Sequence, residues 1–264
     1  MGIAADIAED WHASLAALAW QVDLGVAEVI GDAPLNRYDL PEAAKPLPRV
    51  AATVSAPPIV MVPAADPVAL AEQVAQAAQD LTALRQAMDA YDHCELKKGA
   101  RNLVFADGNP KARVLILGEA PGRDEDLEGR PLVGPAGQLL DRMFAAIGLS
   151  RSSPDPETAL YLTNVMPWRP PQNRDPTPEE IAMMRPFVAR HIALVDPEVI
   201  VVLGNTPLQA VLNIKGILRA RGHWGQAFGK PVLPMTHPAY LLRTPLAKRE
   251  AWADLLALQA RLRG

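Results

Sequence analysis

The residues with the most chemical reach fall in three short segments. Glu119 lies in GEAPG (118–122), Asn164 opens NVMPWRPPQNR (164–174), and His237 opens HPAYLLR (237–243). A carboxylate on a glycine-flanked loop can orient water or stabilise a developing positive charge. An asparagine amide presents one acceptor and two donors in a plane, the complement of a lactam edge. Arg169 and Arg174, on a loop stiffened by Pro170 and Pro171 and carrying Trp168 and Asn173, suit phosphate contact. Pro238 biases His237 to an extended backbone, which aims the imidazole away from the chain before it. Leu241 and Leu242 backed by Arg243 suit insertion into a stack of bases. Plainer readings stand beside each of these. The glycines of GEAPG also suit a tight turn, asparagine is a common turn former, and HPAYLLR also suits a helix start with one of its two leucines on the core face.

Some chemistries are excluded by spacing. GEAPG is neither a dinucleotide fingerprint nor a phosphate-binding P-loop. The glycine-punctuated stretch from Glu125 to Leu140 offers either backbone N–H groups for an anion or base edge, or a packed surface loop. Asp124, Glu125 and Asp126 could supply the carboxylates of a metal-dependent nucleotide hydrolase, a competing class that chelator-insensitive activity would remove.

The elements that must position these segments alternate regularly. Val114 to Leu117, Leu160 to Thr163, Val199 to Leu203 and Val232 to Met235 are short apolar or β-branched runs. Helical patterns lie at Gly137 to Ile147, Pro178 to Val195, Pro207 to Asn213 and Ala247 to Leu262. Strands without polar alternation are buried on both faces, so a parallel sheet with helices on either side is predicted. All three reactive segments follow such strands and therefore emerge at one carboxyl edge, where α/β folds place ligands.

Composition bounds the rest. The 264 residues are 49% hydrophobic, enough for one full core with chain to spare. Residues 4 to 30 read as one amphipathic helix or two short ones, so residues 1–40 form an acidic helical extension. Six prolines between Pro41 and Pro63 mark residues 41–67 as a linker, and the folded domain spans 68–264. From Val68 to about Tyr91 one further helical pattern runs without glycine or proline. Residues 1–84 carry 3 Lys and Arg against 11 Asp and Glu, whereas the remainder carries 23 against 19. That excess permits nucleic-acid binding by the second part and makes the extension an unsuitable surface for it. The extension either docks a partner or folds back. No apolar run approaches the ~20 residues of a membrane span and no secretion signal opens the chain, so a cytoplasmic location is expected. Cys94 is the single cysteine, which excludes a disulfide framework or any four-cysteine site within the chain.

The runs GNPKARVLILGEAPGRDEDLEGRPLVGPAGQLLDRM, LYLTNVMPWRPPQNRDPTPEE, VIVVLGNTPLQAVL and PVLPMTHPAYLLR occur in unbroken order over about residues 91–262 and resemble the family 4 uracil-DNA glycosylases. The resemblance implies a three-layer α/β/α sandwich on a four-stranded parallel sheet. It implies a monomer that hydrolyses the N-glycosidic bond of uracil in DNA, releasing free uracil and leaving an abasic site for base-excision repair. It makes Glu119 the carboxylate for water or the sugar cation and His237 the group facing uracil O2. Asn164 would read the flipped base, the backbone of Ala120 and Gly122 would close the pocket, and Glu125 and Leu132 would line it. Arg169, Asn173, Arg174, Tyr240, Leu241, Leu242 and Arg243 would meet the DNA; the N-terminal extension, outside the resemblance, either docks a repair protein or folds back on the domain.

Two departures matter. The family's four cluster-ligating cysteines correspond here to Tyr91, Cys94, Trp168 and Met184, so no iron–sulfur cluster and no metal is expected, with an apolar plug in its place. Leu132 stands where the family has a phenylalanine stacked on uracil. A neighbouring group of the superfamily traps uracil-DNA covalently through a histidine in a long basic loop. The loop here is short and has Asn173 near that place, so turnover is expected over the alternative of a trapping or non-catalytic binding protein.

Overall fold

The computed structural model describes residues 11–23 and 66–264, which belong to two compact units, residues 1–60 and 61–264. The first unit contributes helix α1 (Trp11–Asp23), inside the stretch expected to be helical. Residues 41–65 of the expected linker lie outside the described residues.

The second unit opens with a correction. The single helical pattern after Val68 is two helices, α2 (Pro67–Ala77) and α3 (Leu81–Ala90). Asp66 caps α2 through the Val68 N–H at 3.0 Å, with Pro67 in the first turn. Asp80 caps α3 through the Ala83 N–H at 2.7 Å, and this second cap ends the first helix. Ala78 between them is extended, and Arg190 donates to its carbonyl at 2.8 Å. Helix α4 (Leu96–Gly99) and strand β1 (Ala106–Gly108) follow.

From there the expected alternation appears: β2 (Val114–Gly118), α5 (Arg123–Glu128), α6 (Pro135–Ala145), β3 (Leu160–Asn164), α7 (Pro178–Val195), β4 (Val199–Leu203), α8 (Asn205–Leu212), α9 (Ile217–Ala220), β5 (Gly225–Ala227), β6 (Lys230–Met235), α10 (Pro238–Arg243) and α11 (Lys248–Leu262). The sheet order is β1-β3-β2-β4-β6-β5. Its four central strands are parallel as predicted, and β1 and β5 extend it at either edge as antiparallel strands that sequence reading missed.

Every residue of β2, β3 and β4 is buried, and their side chains alternate between two cores. Leu115, Leu117, Tyr161, Ile200 and Val202 pack on one side with Leu84, Phe187 and Leu208 from α3, α7 and α8. Val114, Ile116, Leu162 and Val201 pack on the other with Leu140, Phe144 and Leu255 from α6 and α11. Three layers result. Helix α7 starts at a reciprocal cap in which Glu180 N–H donates to Thr177 Oγ1 and Thr177 N–H donates to Glu180 Oε2.

Candidate active site

Four loops leave the carboxyl ends of β2, β3, β4 and β6, and together they wall a cleft of about 630 Å³. The sequence offered three of them. The fourth, Gly204-Asn205-Thr206 after β4, obeys the same strand-end rule.

Two main-chain bonds extend the β2–β3 pairing past the strands, Val165 N–H to Gly118 O and Met166 N–H to Glu119 O, both 2.9 Å. They fix Glu119 at the cleft wall. Its carboxyl is half-buried, and loss of water raises its pKa above the usual carboxylate range. The Thr206 hydroxyl, donating to it, opposes that rise, whereas nearby Asp175 adds to it. Ala120 and Gly122 line the same cleft.

His237 caps α10 in the extended conformation that Pro238 favours. Its Nδ1 accepts the Ala239 N–H at 3.2 Å. Burial lowers its pKa to about 4, with Glu125 opposing the shift and Arg243 adding to it, so the ring is neutral near pH 7. Since Nδ1 accepts, the single proton sits on Nε2, which is then a donor. Gly204, at the start of α8, has a φ of +96° that favours glycine, and a Cβ there would meet His237 Cβ at 3.6 Å, an ordinary contact.

Asn164 is buried at the end of β3 and is not among the residues lining the cleft. A Cβ on Gly118 would collide with its Oδ1, so any larger residue there would push the amide from its place. Its Nδ2 has no hydrogen-bond partner. Among the described residues, only Arg113 Nε and Thr236 Oγ1 share that condition as buried side-chain atoms. Thr236 lines the cleft beside His237. An orphaned buried donor is costly, so it marks a place that a ligand completes. Thr206, Thr236 and Asp175 were missed from sequence; the adjacency of Thr236 to His237 and of Asp175 to Arg174 was the one signal that pointed to any of them.

The structure corrects three assignments. Glu125 lines the cleft, but its carboxylate is taken by the N–H groups of Gly122 (3.0 Å), Val133 (3.0 Å) and Gly134 (3.1 Å). It ties the two glycine loops together instead of presenting free acceptors to a base. Arg174 lines the cleft too, yet its guanidinium is bidentate on Glu180 at 2.9 and 2.7 Å, so it pins the loop to α7. Leu241 is 1% exposed and packs with Leu139 and Ala251, which removes it from any DNA-facing surface. Its neighbour Leu242 is exposed, Arg243 is exposed at the cleft, and Tyr240 is half-buried there. Asn173, left-handed at φ 53°, lines the cleft and accepts from Arg169 Nε at 2.9 Å. Leu132, buried and also left-handed, lines the cleft from the α5–α6 loop.

Tyr91, Cys94, Trp168 and Met184 are all buried in one apolar cluster. They do not fit an iron–sulfur cluster, which needs four thiolates or a close substitute. The Tyr91 hydroxyl donates to Pro67 O at 2.8 Å, and burial raises the pKa of the lone Cys94 thiol, favouring its neutral form. Among the described residues no group of three or more His, Cys, Asp or Glu is placed to hold a metal ion.

A family model of the uracil DNA glycosylase superfamily matches residues 105–256. The chain is 40% identical over 172 residues to a type-4 uracil-DNA glycosylase of Archaeoglobus fulgidus, covering 61% of this chain and 82% of that one. It is 41% identical over 155 residues to a type-4 uracil-DNA glycosylase of Thermotoga maritima, covering 57% and 77%. A type-5 uracil-DNA glycosylase of Thermus thermophilus is 31% identical over 173 residues, covering 60% and 78%. With the matched segment containing Glu119, Asn164 and His237 on the sheet edge just described, the chain belongs to the uracil-DNA glycosylase superfamily, alongside its type-4 members.

Proposed function

We infer that this protein is a uracil-DNA glycosylase that cleaves the N-glycosidic bond of uracil in DNA with protein groups alone. Cleavage makes a cationic sugar and an anionic base, so it calls for negative charge near one and hydrogen-bond donors near the other. Glu119, half-desolvated and held by Thr206, supplies the carboxylate, stabilising the sugar cation and orienting the water that captures it. His237, neutral with its proton on Nε2, donates to uracil O2 as charge grows there. Asn164 Nδ2 donates to O4, and Leu132 covers the ring.

The base must leave the stack to reach them. With Leu241 in the core, Leu242 and Arg243 are the residues left to fill the gap, and Arg169 meets the backbone. The plug of Tyr91, Trp168 and Met184 holds the 168–174 loop without a metal. The enzyme acts as a monomer, releases free uracil, and leaves residues 1–40 for a repair partner.

The observation that carries this reading is the neutral, donor-ready His237 sharing one cleft with a desolvated carboxylate. The test is incubation with a uracil-containing oligonucleotide in EDTA, followed by alkali. Strand scission at the uracil position is expected, and an intact strand would contradict it.

A further inference from the structure

Leu132 sits in a conformation that leucine rarely adopts. Its φ of 53° is left-handed, a region that favours glycine. Two features outside the cleft hold it there. Gly137 in α6 is the first: a Cβ would overlap the Leu132 carbonyl, so only glycine lets the helix and the loop close to this distance. Arg151 is the second. It lies on the loop after α6, its side chain is 13% exposed, and it is not part of the cleft lining.

Four bonds leave that guanidinium, two of them to the loop. Nη2 donates to Leu132 O at 2.9 Å, and Nη1 donates to Pro131 O at 3.0 Å. The same Nη1 reaches Asp107 Oδ2 on β1 at 3.1 Å, and Nε reaches Asp141 Oδ1 on α6 at 2.8 Å. The two carboxylates orient the fork, and the fork draws the 131–132 carbonyls back toward the α6 side. With the carbonyl held away, the Leu132 side chain is directed to the cleft. Lysine could match the charge but not this planar geometry.

We propose that Arg151 is a positioning residue for base recognition, setting the uracil pocket by holding Leu132 in its left-handed conformation from behind. The proposal rests on Leu132 being the residue that covers the base. It predicts a defect confined to the base, because Arg151 touches neither the cleft groups at β2 and β6 nor any DNA-facing loop.

The test combines Arg151→Ala, Arg151→Lys and Leu132→Ala with three readouts: inhibition by free uracil, the split between KM and kcat, and binding of abasic-site duplex. Arg151→Ala should weaken free-uracil inhibition and raise KM by about tenfold each, ~1.4 kcal/mol. Its kcat should stay within about threefold and its affinity for abasic-site duplex should be unchanged. Arg151→Lys should restore only part of the loss; since it keeps the charge, it also serves if the alanine variant does not fold. Leu132→Ala should show the same loss of free-uracil inhibition, and the double variant should be no worse in it than the worse single. Wild-type uracil inhibition in folded Arg151→Ala, or losses that simply multiply in the double variant, would overturn the positioning role. Wild-type uracil inhibition in Leu132→Ala would overturn it by a separate route, because Leu132 would then not cover the base.

Discussion

Replacing His237 by alanine probes the electrostatics of the cleft most sharply. The imidazole pKa is lowered to about 4 by burial. Only about 1% of it is therefore protonated at pH 6, and still less at pH 7. The Ala239 N–H on Nδ1 leaves Nε2–H as the donor, so the group acts as a neutral hydrogen-bond donor rather than as a cation. Loss of one donor to a developing oxyanion costs about 3 to 4 kcal/mol, or roughly 10² to 10³ in the rate of the chemical step. Single-turnover rapid-quench measurements from pH 4 to 8 should show this loss at every pH above 6 while DNA affinity changes little. The wild-type rate should fall toward acid and not toward base. That limb should persist in His237→Ala, because Glu119 must be ionised and its pKa lies above the usual carboxylate range. A wild-type rate that instead falls toward base around pH ~6.5, with that fall absent in the variant, would show that imidazolium is the active form. A variant within threefold of wild type would refute the donor role.

Three further outcomes follow from particular contacts. Asn164→Asp should abolish uracil selection, since a carboxylate cannot make the donation that the orphaned Nδ2 offers; inhibition by free uracil measures it, and wild-type inhibition would contradict it. Arg243→Ala should weaken binding of uracil in duplex DNA more than in single strands, where no stack is opened; equal losses on both would remove the wedge. Buried His191, stacked on Phe105 and bonded to the Tyr161 hydroxyl at 2.7 Å, has its pKa lowered to about 3 by burial. The unfolded chain binds this proton below pH ~6.5 and the folded chain does not, so its contribution to stability is present above that pH and is lost as pH falls. By pH 5 the loss is about 2 kcal/mol. Urea midpoints at pH 5 and 7.5 should differ less in His191→Phe than in wild type, and an unchanged difference would contradict the assignment.

The parts of the fold read from sequence were those in which local pattern and burial agree. The four parallel strands are runs such as Val199 to Leu203, buried on both faces, and only one kind of sheet has room for them. The edge strands Ala106–Gly108 and Gly225–Ala227 carry no such signal, because pairing with β3 and β6 creates them. The break at Ala78 was hidden because Asp80 resembles any polar helical residue until its side chain caps the next helix. Glu119, His237 and Asn164 were legible as reactive types at strand ends. The partners of Glu125 and Arg174 were not, since nothing in their spacing distinguishes a free charge from one committed to Gly134 or Glu180. Leu241 and Leu242 differ by about 100° around one helical turn, and only the docking of α10 against Leu139 and Ala251 decides which faces solvent. Arg151 escaped because it acts through carbonyls, which sequence does not display.

The most direct measurement is release of labelled uracil under single-turnover conditions by the full chain, purified and dialysed against EDTA, beside Glu119→Gln. Wild type should release uracil stoichiometrically with no iron detected in the protein, and Glu119→Gln should bind the same duplex but release uracil far more slowly, because the shape remains while the charge is gone. Release that disappears on dialysis and returns with iron would contradict catalysis by protein groups alone, and equal rates for the two proteins would contradict the role of Glu119.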